Sequence, residues 1–252
     1  MKRAMLNSVG RLALCLTVVG GGALPLRGNI NLEFRPAAQT GEVTGLVEVV
    51  LYAVSDDPVA NQYFSAMDVI IAWDPDYLEL VGDANCAGCP GWLLDEFTND
   101  PYGINETIPP QDGDGIFTVL APLGAPVAAT PAGTPIITFQ FTGLTTTSET
   151  LIAFLESAGD PLGHTVVYDG AIPGLAVTGV LGDPAAVEII CQLCPGDVTG
   201  NGEINIADLA ELLAHYGTAS GALPSDGDLD CDGDVQIDDL AMLLSVYGTS
   251  CD

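Results

Sequence analysis

The sequence is poor in positive charge. Its 252 residues include only 5 lysines and arginines, against 34 aspartates and glutamates. The last base in the chain is Arg35, whereas every acidic residue lies from Glu33 onward. A surface of this kind repels nucleic-acid phosphates and anionic lipids, and it favours divalent cations. Nucleic acid is therefore excluded as a partner.

Long apolar runs are also scarce. One run, residues 12–26, follows a basic start made by Lys2, Arg3 and Arg11, a pattern typical of a secretory signal. We predict a signal peptide over residues 1–28 and a secreted protein, extracellular or at the cell surface, with no membrane insertion after cleavage. A mature chain that begins near Gly28 keeps Arg35 as its one base and has a net charge of −33.

Catalytic motifs are missing as well. The chain has 2 histidines, His164 and His215, and neither lies near a nucleophile motif. Sugar hydrolysis would need a pair of carboxylates in a cleft, but the acidic residues are too many for the sequence to select any pair. We therefore predict no catalytic residue and no enzymatic activity.

The middle of the chain, residues 29–190, is rich in β-branched residues and in short alternating runs separated by turn-forming residues. No segment of it has sustained helical periodicity, so a β-sandwich or jelly roll is expected. The seven predicted strands are 42–54, 67–73, 116–120, 136–142, 151–155, 165–168 and 176–180.

The tail, by contrast, repeats itself. Two units of 21 residues, 197–217 and 228–248, are identical at 10 positions when they are aligned without gaps. Each unit opens with a 12-residue acidic stretch that has glycine at its sixth position, Gly202 or Gly233. The fold class expected for the whole chain is thus mainly β, with a small α module at the C-terminus.

Each acidic stretch has the spacing of an EF-hand calcium loop, which supplies oxygen ligands from positions 1, 3, 5, 7, 9 and 12. Glycine at position 6 allows the positive φ of the sharp turn. The chain is therefore expected to bind two Ca²⁺ ions. The predicted ligands are Asp197, Thr199, Asn201, the Glu203 carbonyl, Asn205 and Asp208 in loop one, and Asp228, Asp230, Asp232, the Asp234 carbonyl, Gln236 and Asp239 in loop two.

Unlike an EF-hand, neither loop is preceded by a helical pattern. After each loop, apolar residues recur at helical spacing up to Tyr216–Gly217 and Tyr247–Gly248. The unit is therefore a loop followed by a helix, twice. Neither short helix can bury its apolar stripe alone, so the two helices are expected to pack on each other.

Six cysteines follow the signal: Cys86, Cys89, Cys191, Cys194, Cys231 and Cys251. An even number in a secreted chain favours disulfides. Two Cys-x-x-Cys pairs leave zinc binding or redox chemistry as alternatives. Zinc sites of that kind are mainly intracellular, and the segment after Cys86 has the pattern of a turn, not of a helix.

The duplicated loop–helix pattern, with Asp at position 12 and a Leu-Leu pair on each helix, closely resembles the dockerin family over residues 191–252. The resemblance implies a cohesin-type partner, which contacts loop positions 10 and 11 and the helix that follows. It also implies that the two ends of the module lie close together, which joins Cys194 to Cys251; Cys86–Cys89 is then a local bridge, and Cys191 is left to pair with Cys231. The implied contact residues are Ile206, Ala207, Leu213, Ala214, Ile237, Asp238, Leu244 and Ser245.

Residues 29–190 resemble cohesins more weakly, through segments 64–81, 114–121 and 134–141, the first of which contains Trp73-Asp-Pro-Asp-Tyr-Leu-Glu79. The expected partner is then a cohesin-like domain of another protein or of another copy of this chain. An alternative is a polysaccharide-binding or glycoside-hydrolysing subunit tethered through its dockerin. A third possibility is that the repeats only clamp the sandwich of their own chain.

Overall fold

The structure, a computed structural model, describes residues 29–171 and 174–251. The predicted signal peptide lies outside the described residues. The described chain is mainly β, as predicted, with fifteen strands followed by two α-helices. The strands are β1 Ile30–Arg35, β2 Ala38–Glu42, β3 Leu46–Ser55, β4 Gln62–Ala72, β5 Leu78–Ala84, β6 Leu94–Phe97, β7 Asp114–Leu120, β8 Val127–Ala129, β9 Thr134–Gly143, β10 Thr147–Leu155, β11 Ser157–Ala158, β12 Gly163–His164, β13 Val166–Asp169, β14 Thr178–Leu181 and β15 Ala185–Ile190.

One sheet has the strand order β14-β1-β3-β9-β5. Its inner face follows from the alternation of the sequence, because successive side chains of a strand point to opposite faces. On β3, Val47, Val49 and Leu51 are fully buried or nearly so. They pair with Phe141, Phe139 and Ile137 of β9, which are also buried, so one apolar row covers this face of the sheet.

The second sheet has the order β2-β15-β10-β4-β7-β6, with β8 and β13 also paired to β4. Its inner face packs against the first sheet. Phe117 of β7 meets Phe139 of β9 at a ring-centroid distance of 5.2 Å, edge to face, and Phe97 of β6 lies 5.0 Å from Phe117. The predicted β-sandwich is therefore confirmed, with one hydrophobic core between two sheets.

The outer face of the second sheet is partly covered by the loop before β7. Ile104 of that loop packs with Ile70 and Ile116, and the three form a small apolar cluster of their own. Asn105 fixes the loop, since its side-chain amide donates to the carbonyls of Thr98 and Ile116 at 2.8 Å each. Only part of this sheet face remains open.

Several strand boundaries differ from the sequence prediction. The predicted strand 42–54 corresponds to β3, which begins only at Leu46, whereas Glu42 is the last residue of the separate strand β2. Between them Thr44 takes a left-handed conformation with φ 62°, which lets the chain cross from one sheet to the other. The turn residues that mark this crossing, Thr44-Gly45, are too short a signal to interrupt an apolar run.

The C-terminal module contains α1, Ile206–His215, and α2, Ile237–Val246. Each has 10 residues, so neither is long enough to span a bilayer. A separate hydrophobic cluster holds the module together, and Leu212 and Leu243 at its centre are fully buried. A 3₁₀ turn, Pro224–Asp226, precedes loop two, whereas an EF-hand has a full helix at that position.

The module is attached to the sandwich directly after β15. Cys191, the residue after the strand, forms a disulfide with Cys231 of loop two. The Leu193 backbone amide donates to the Glu42 carboxylate, and the Gln192 side-chain amide donates to the Pro224 carbonyl at 3.1 Å. A narrow cleft at this junction is lined by Val43 and Leu144 from the sandwich and by Leu223 and Asp232 from the module.

Candidate calcium loops and docking face

Loop one, residues 197–208, is closed by hydrogen bonds between its predicted ligands and its own backbone. The Asp197 carboxylate accepts from the amides of Asn201 at 2.9 Å and Gly202 at 2.8 Å. The Asp208 carboxylate accepts from the amide and hydroxyl of Thr199 at 2.9 and 2.8 Å, and from the Asn205 amide at 2.8 Å. The Asn201 side-chain amide donates to the Thr199 hydroxyl at 2.7 Å, so loop positions 1, 3, 5, 9 and 12 are linked in one hydrogen-bonded chain.

Asn205 has a second role, because its side-chain oxygen accepts from the Ala207 amide at 2.8 Å and caps α1. The N-cap satisfies one of the amides that a helix leaves free at its start. Asn205 is thus both a residue of loop one and the N-cap of α1.

Loop two, residues 228–239, has a similar arrangement, but the Gln236 side chain does not cap α2 and the Asp232 amide donates to Asp230 at 3.3 Å. The Asp239 carboxylate accepts from the amides of Leu229 and Gln236 at 2.8 Å each. Asp228, only 1% exposed, accepts from the Gly233 amide at 2.9 Å through Oδ2. Its Oδ1 atom is buried and has no hydrogen-bond partner.

Asp228 is also part of a compact acidic group. One carboxylate oxygen from each of Asp228, Asp230 and Asp232 lies within 4.8 Å of the others. A buried carboxylate oxygen without a partner costs free energy unless a cation or donor meets it. Oxygen donors of this kind, converging on one point, suit a hard cation such as Ca²⁺. The predicted ligands of loop two therefore fit the ion.

The pKa values of Asp208 in loop one and Asp228 in loop two are shifted in opposite directions. Burial raises the pKa of Asp228, and the charges of Asp239 and Asp230 raise it further, against the lowering effect of the Gly233 and Cys231 amides. In loop one, burial would raise the pKa of Asp208, but hydrogen bonds from Asn205 and Thr199 outweigh burial and lower it. Asp208 is thus satisfied by donors of its own loop, whereas Asp228, at a different loop position, keeps one oxygen without a hydrogen-bond partner.

Other groups near the loops are less suited to an ion. Cys194, Asp197 and Cys251 lie within 4.8 Å of one another, but the two sulfurs belong to a disulfide and are not thiolate ligands. The Gln236 side-chain amide donates to the Asp234 carboxylate. The three disulfides of the described chain, Cys86–Cys89, Cys191–Cys231 and Cys194–Cys251, join the pairs expected above.

The helices have two apolar sides, and only one is buried. Leu212 and Leu243 face the core of the module, whereas Ile206 is 66% exposed, Leu213 52%, Ile237 60% and Leu244 53%. All eight residues predicted to contact a partner are exposed. We call the two exposed stripes together the docking face; they comprise Ile206, Ala207, Ala210, Leu213, Ala214 and Tyr216 on one repeat, and Ile237, Asp238, Ala241, Leu244, Ser245 and Tyr247 on the other.

Sequence reasoning missed part of this face. It counted Tyr216 and Tyr247 only among the apolar residues of the helical pattern, not among the contact residues, and it overlooked Ala210 and Ala241. The spacing of Ile206, Ala210 and Leu213, at intervals of four and three residues, is the signal that could have identified a second apolar stripe.

The sandwich carries one perturbed acidic group of its own. Burial, with the charges of Asp95 and Glu96, raises the pKa of Asp83 to about 6. These carboxylates lie on edge strands β5 and β6. Shallow grooves of the described sandwich are lined by other residues, such as Tyr63 and Val177 in one and His164 and Val180 in another. Asp83, Asp95 and Glu96 therefore do not line either of these two grooves.

No protein-family model matches the chain, and no curated protein matches it. Solved structures that it resembles are cohesin modules. The sixth cohesin of scaffoldin B from Acetivibrio cellulolyticus, solved with a Cel5 dockerin mutant, has a TM-score of 0.44 and 12% identity, over 64% of this chain and 98% of the cohesin. A cohesin module from a Clostridium perfringens family 33 glycoside hydrolase has a TM-score of 0.42 and 11% identity, over 66% and 99%.

A type III cohesin from the cell-surface anchoring scaffoldin ScaE of Ruminococcus flavefaciens has a TM-score of 0.40 and 10% identity, over 66% of this chain and 88% of the cohesin. Likenesses this distant carry no argument about what the chain binds. The dockerin resemblance of residues 191–252 rests on the sequence motifs alone.

Proposed function

We propose that this chain is a non-catalytic assembly protein, in which a calcium-ordered dockerin module presents a docking face to a cohesin-type partner. The observation that carries the proposal is the buried, unpartnered Oδ1 of Asp228, within a group of three converging carboxylates. The module has no lysine or arginine that could neutralise this group. A divalent cation is the compensating charge that its chemistry suits.

The residues that would hold Ca²⁺ are those at positions 1, 3, 5, 7, 9 and 12 of each loop. The ion would supply charge compensation and a fixed centre for the loop. The chain itself does the rest, since Asp208 and Asp239 belong both to a loop and to the first turn of α1 or α2. A loop held in one conformation therefore fixes the start of its helix and, with it, the docking face.

The docking face supports the second half of the proposal. Six large apolar side chains are 43–66% exposed on two short helices. Exposed apolar surface concentrated in this way marks interaction sites in soluble proteins. A partner that covers these side chains would gain free energy from their burial.

The test is calorimetric titration of the full chain with Ca²⁺, together with far-UV circular dichroism. We expect two binding events and a gain of helical signal that EDTA reverses. Asp228→Asn should weaken binding at loop two about tenfold or more, because a charged ligand is lost. Asp76→Asn, an exposed carboxylate in a turn of the sandwich, is the matched control. No heat with Ca²⁺ and an unchanged spectrum would contradict the proposal.

A further inference from the structure

The docking face lies in a strongly acidic part of the chain. Residues 191–252 contain 12 acidic residues and no lysine or arginine. Two of the acids border the exposed apolar side chains: Asp238 on the face itself and Glu211 at its flank. His215 is already directed at carboxylates, 3.4 Å from Glu211 and 3.7 Å from Asp226.

Resting on the proposed docking function, we infer that the partner is a different protein, whose contact surface is apolar at its centre and carries lysine or arginine at its rim. The apolar centre matches the isoleucines, leucines and tyrosines of the face. The basic rim matches Asp238 and Glu211. Complementary charge of this kind selects the partner and speeds association, while like charge across an interface costs free energy.

A second copy of this chain does not meet that requirement. Its one base after the predicted signal is Arg35. The Arg35 guanidinium already pairs with Glu33, donates to the Ala132 carbonyl at 2.9 Å, and lies 4.2 Å above the Tyr52 ring. Two mature chains, each with a net charge of −33, would repel each other wherever their surfaces met.

Calcium does not reverse this sign. Two Ca²⁺ ions would cancel four of the 12 negative charges of residues 191–252, which leaves eight. The loops that would hold them precede the helices, whereas Glu211 and the leucines of the docking face lie further along α1 and α2. The face is therefore still acidic when the loops are filled.

The experiment begins with the oligomeric state of the full chain. Sedimentation velocity in Ca²⁺, at about 0.05 M and about 0.5 M NaCl, should show a monomer at both concentrations, since screening alone does not create complementary charge. A calcium-dependent dimer that Leu213→Ser with Leu244→Ser abolishes would overturn the inference and leave the docking function standing.

The second step is a selection with a defined probe. The probe is the sixth cohesin of A. cellulolyticus scaffoldin B, displayed as a library in which the rim of its dockerin-contacting surface is randomised among lysine, serine and glutamate. Clones are selected on this chain in Ca²⁺. We expect lysine to be enriched, and the selected binding to weaken about fivefold or more between the two salt concentrations.

Two comparisons separate specific docking from general attraction to an acidic protein. Selected clones should lose binding to the Leu213→Ser/Leu244→Ser variant but keep it to Leu123→Ser, which alters a leucine that is 90% exposed on the sandwich. Glu211→Gln with Asp238→Asn should weaken binding about 2- to 20-fold, as expected for two exposed ion pairs.

The remaining outcomes are distinct. Enrichment of glutamate or serine, or lysine-rich clones that bind the face variant equally well, would overturn the inference about the partner. Recovery of no calcium-dependent binder at all would instead contradict the docking function on which it rests.

Discussion

At the scale of single residues, Asp83 shows how a fold can disfavour the charged form of a carboxyl group. It is half-buried on β5, and the carboxylates of Asp95 and Glu96 lie near it. Burial and these two charges raise its pKa to about 6, from an ordinary value of 3.8. In the folded state Asp83 therefore keeps its proton at pH values where the unfolded chain has lost it.

The sign of the effect on stability follows directly. Between about pH 4 and pH 6 the native state binds more protons than the unfolded state, so the free energy of unfolding falls as pH rises. Asp83→Asn removes this contribution. Relative to the wild type, the variant should gain about 1 kcal/mol between about pH 4 and pH 7, after allowance for the solvent screening of a half-exposed group.

Urea unfolding in saturating Ca²⁺ at the two pH values would measure this gain. Glu79→Gln, which alters an exposed carboxylate on the same strand, is the matched control. A constant difference between Asp83→Asn and the wild type would contradict the raised pKa.

At the scale of elements, the two helices show that apolar periodicity has two possible causes. Leu212 and Leu213 are neighbours in sequence and identical in chemistry, yet Leu212 is fully buried and Leu213 is 52% exposed. The same holds for Leu243 and Leu244 in the second repeat. One leucine of each pair holds the module together, and the other is available to a partner.

Alanine substitutions should separate these roles. Leu212→Ala and Leu243→Ala should each destabilise the module by about 2–5 kcal/mol, the cost of a cavity in a core. Leu213→Ala and Leu244→Ala should change its stability by less than about 0.5 kcal/mol. The helical circular dichroism signal reports on the module, because α1 and α2 are the α-helices of the described chain. Equal losses for both leucines of a pair would show that the docking face is buried after all.

The elements also show which helices and strands could be predicted from the sequence alone. The repeat in the tail predicted both helices, because the loop spacing and the Leu-Leu pairs occur twice. The sandwich was predicted from alternating runs such as Val47, Val49 and Leu51. However, β1 has the same alternation in Ile30, Leu32 and Phe34, and it was missed because it directly follows the predicted signal peptide.

Features that depend on distant contacts were beyond sequence reasoning. The cover over the outer sheet face depends on hydrogen bonds from Asn105 to Thr98 and Ile116, and no local pattern marks them. Which side of α1 is buried depends on Val235, Leu229 and Ile204, which come from other parts of the module. Periodicity gives the spacing of a stripe, but it does not say which stripe faces the core.

At the scale of the whole molecule, the chain has a core in the sandwich and a separate one in the module, joined at one point. The Cys191–Cys231 disulfide lies at this junction and ties the end of β15 to the fourth position of loop two. In loop one the fourth position is Gly200, with φ 68°. Cys231 takes nearly the same conformation, with φ 61°, although a side chain there costs about 1–3 kcal/mol. The module is thus fixed to the sandwich at the expense of local strain in loop two.

Removing the disulfide with and without that strain would separate the two effects. The cross-link joins residues 40 apart in sequence, and closing a loop of that length stabilises the folded state by about 4 kcal/mol in the chain-entropy account. Cys191→Ser with Cys231→Gly should therefore lower the unfolding free energy of the module by about 2–3 kcal/mol, since glycine recovers part of the loss. Cys191→Ser with Cys231→Ser should be about 1 kcal/mol less stable again.

Denaturant titrations followed by the helical signal, in saturating Ca²⁺, would measure both. Cys86→Ser with Cys89→Ser, whose bridge spans only 3 residues within the sandwich, should leave the helical transition where it is. If the glycine and serine variants unfolded together with the wild type, the junction would hold through the Glu42, Gln192 and cleft contacts alone, and the disulfide would not be what fixes the module.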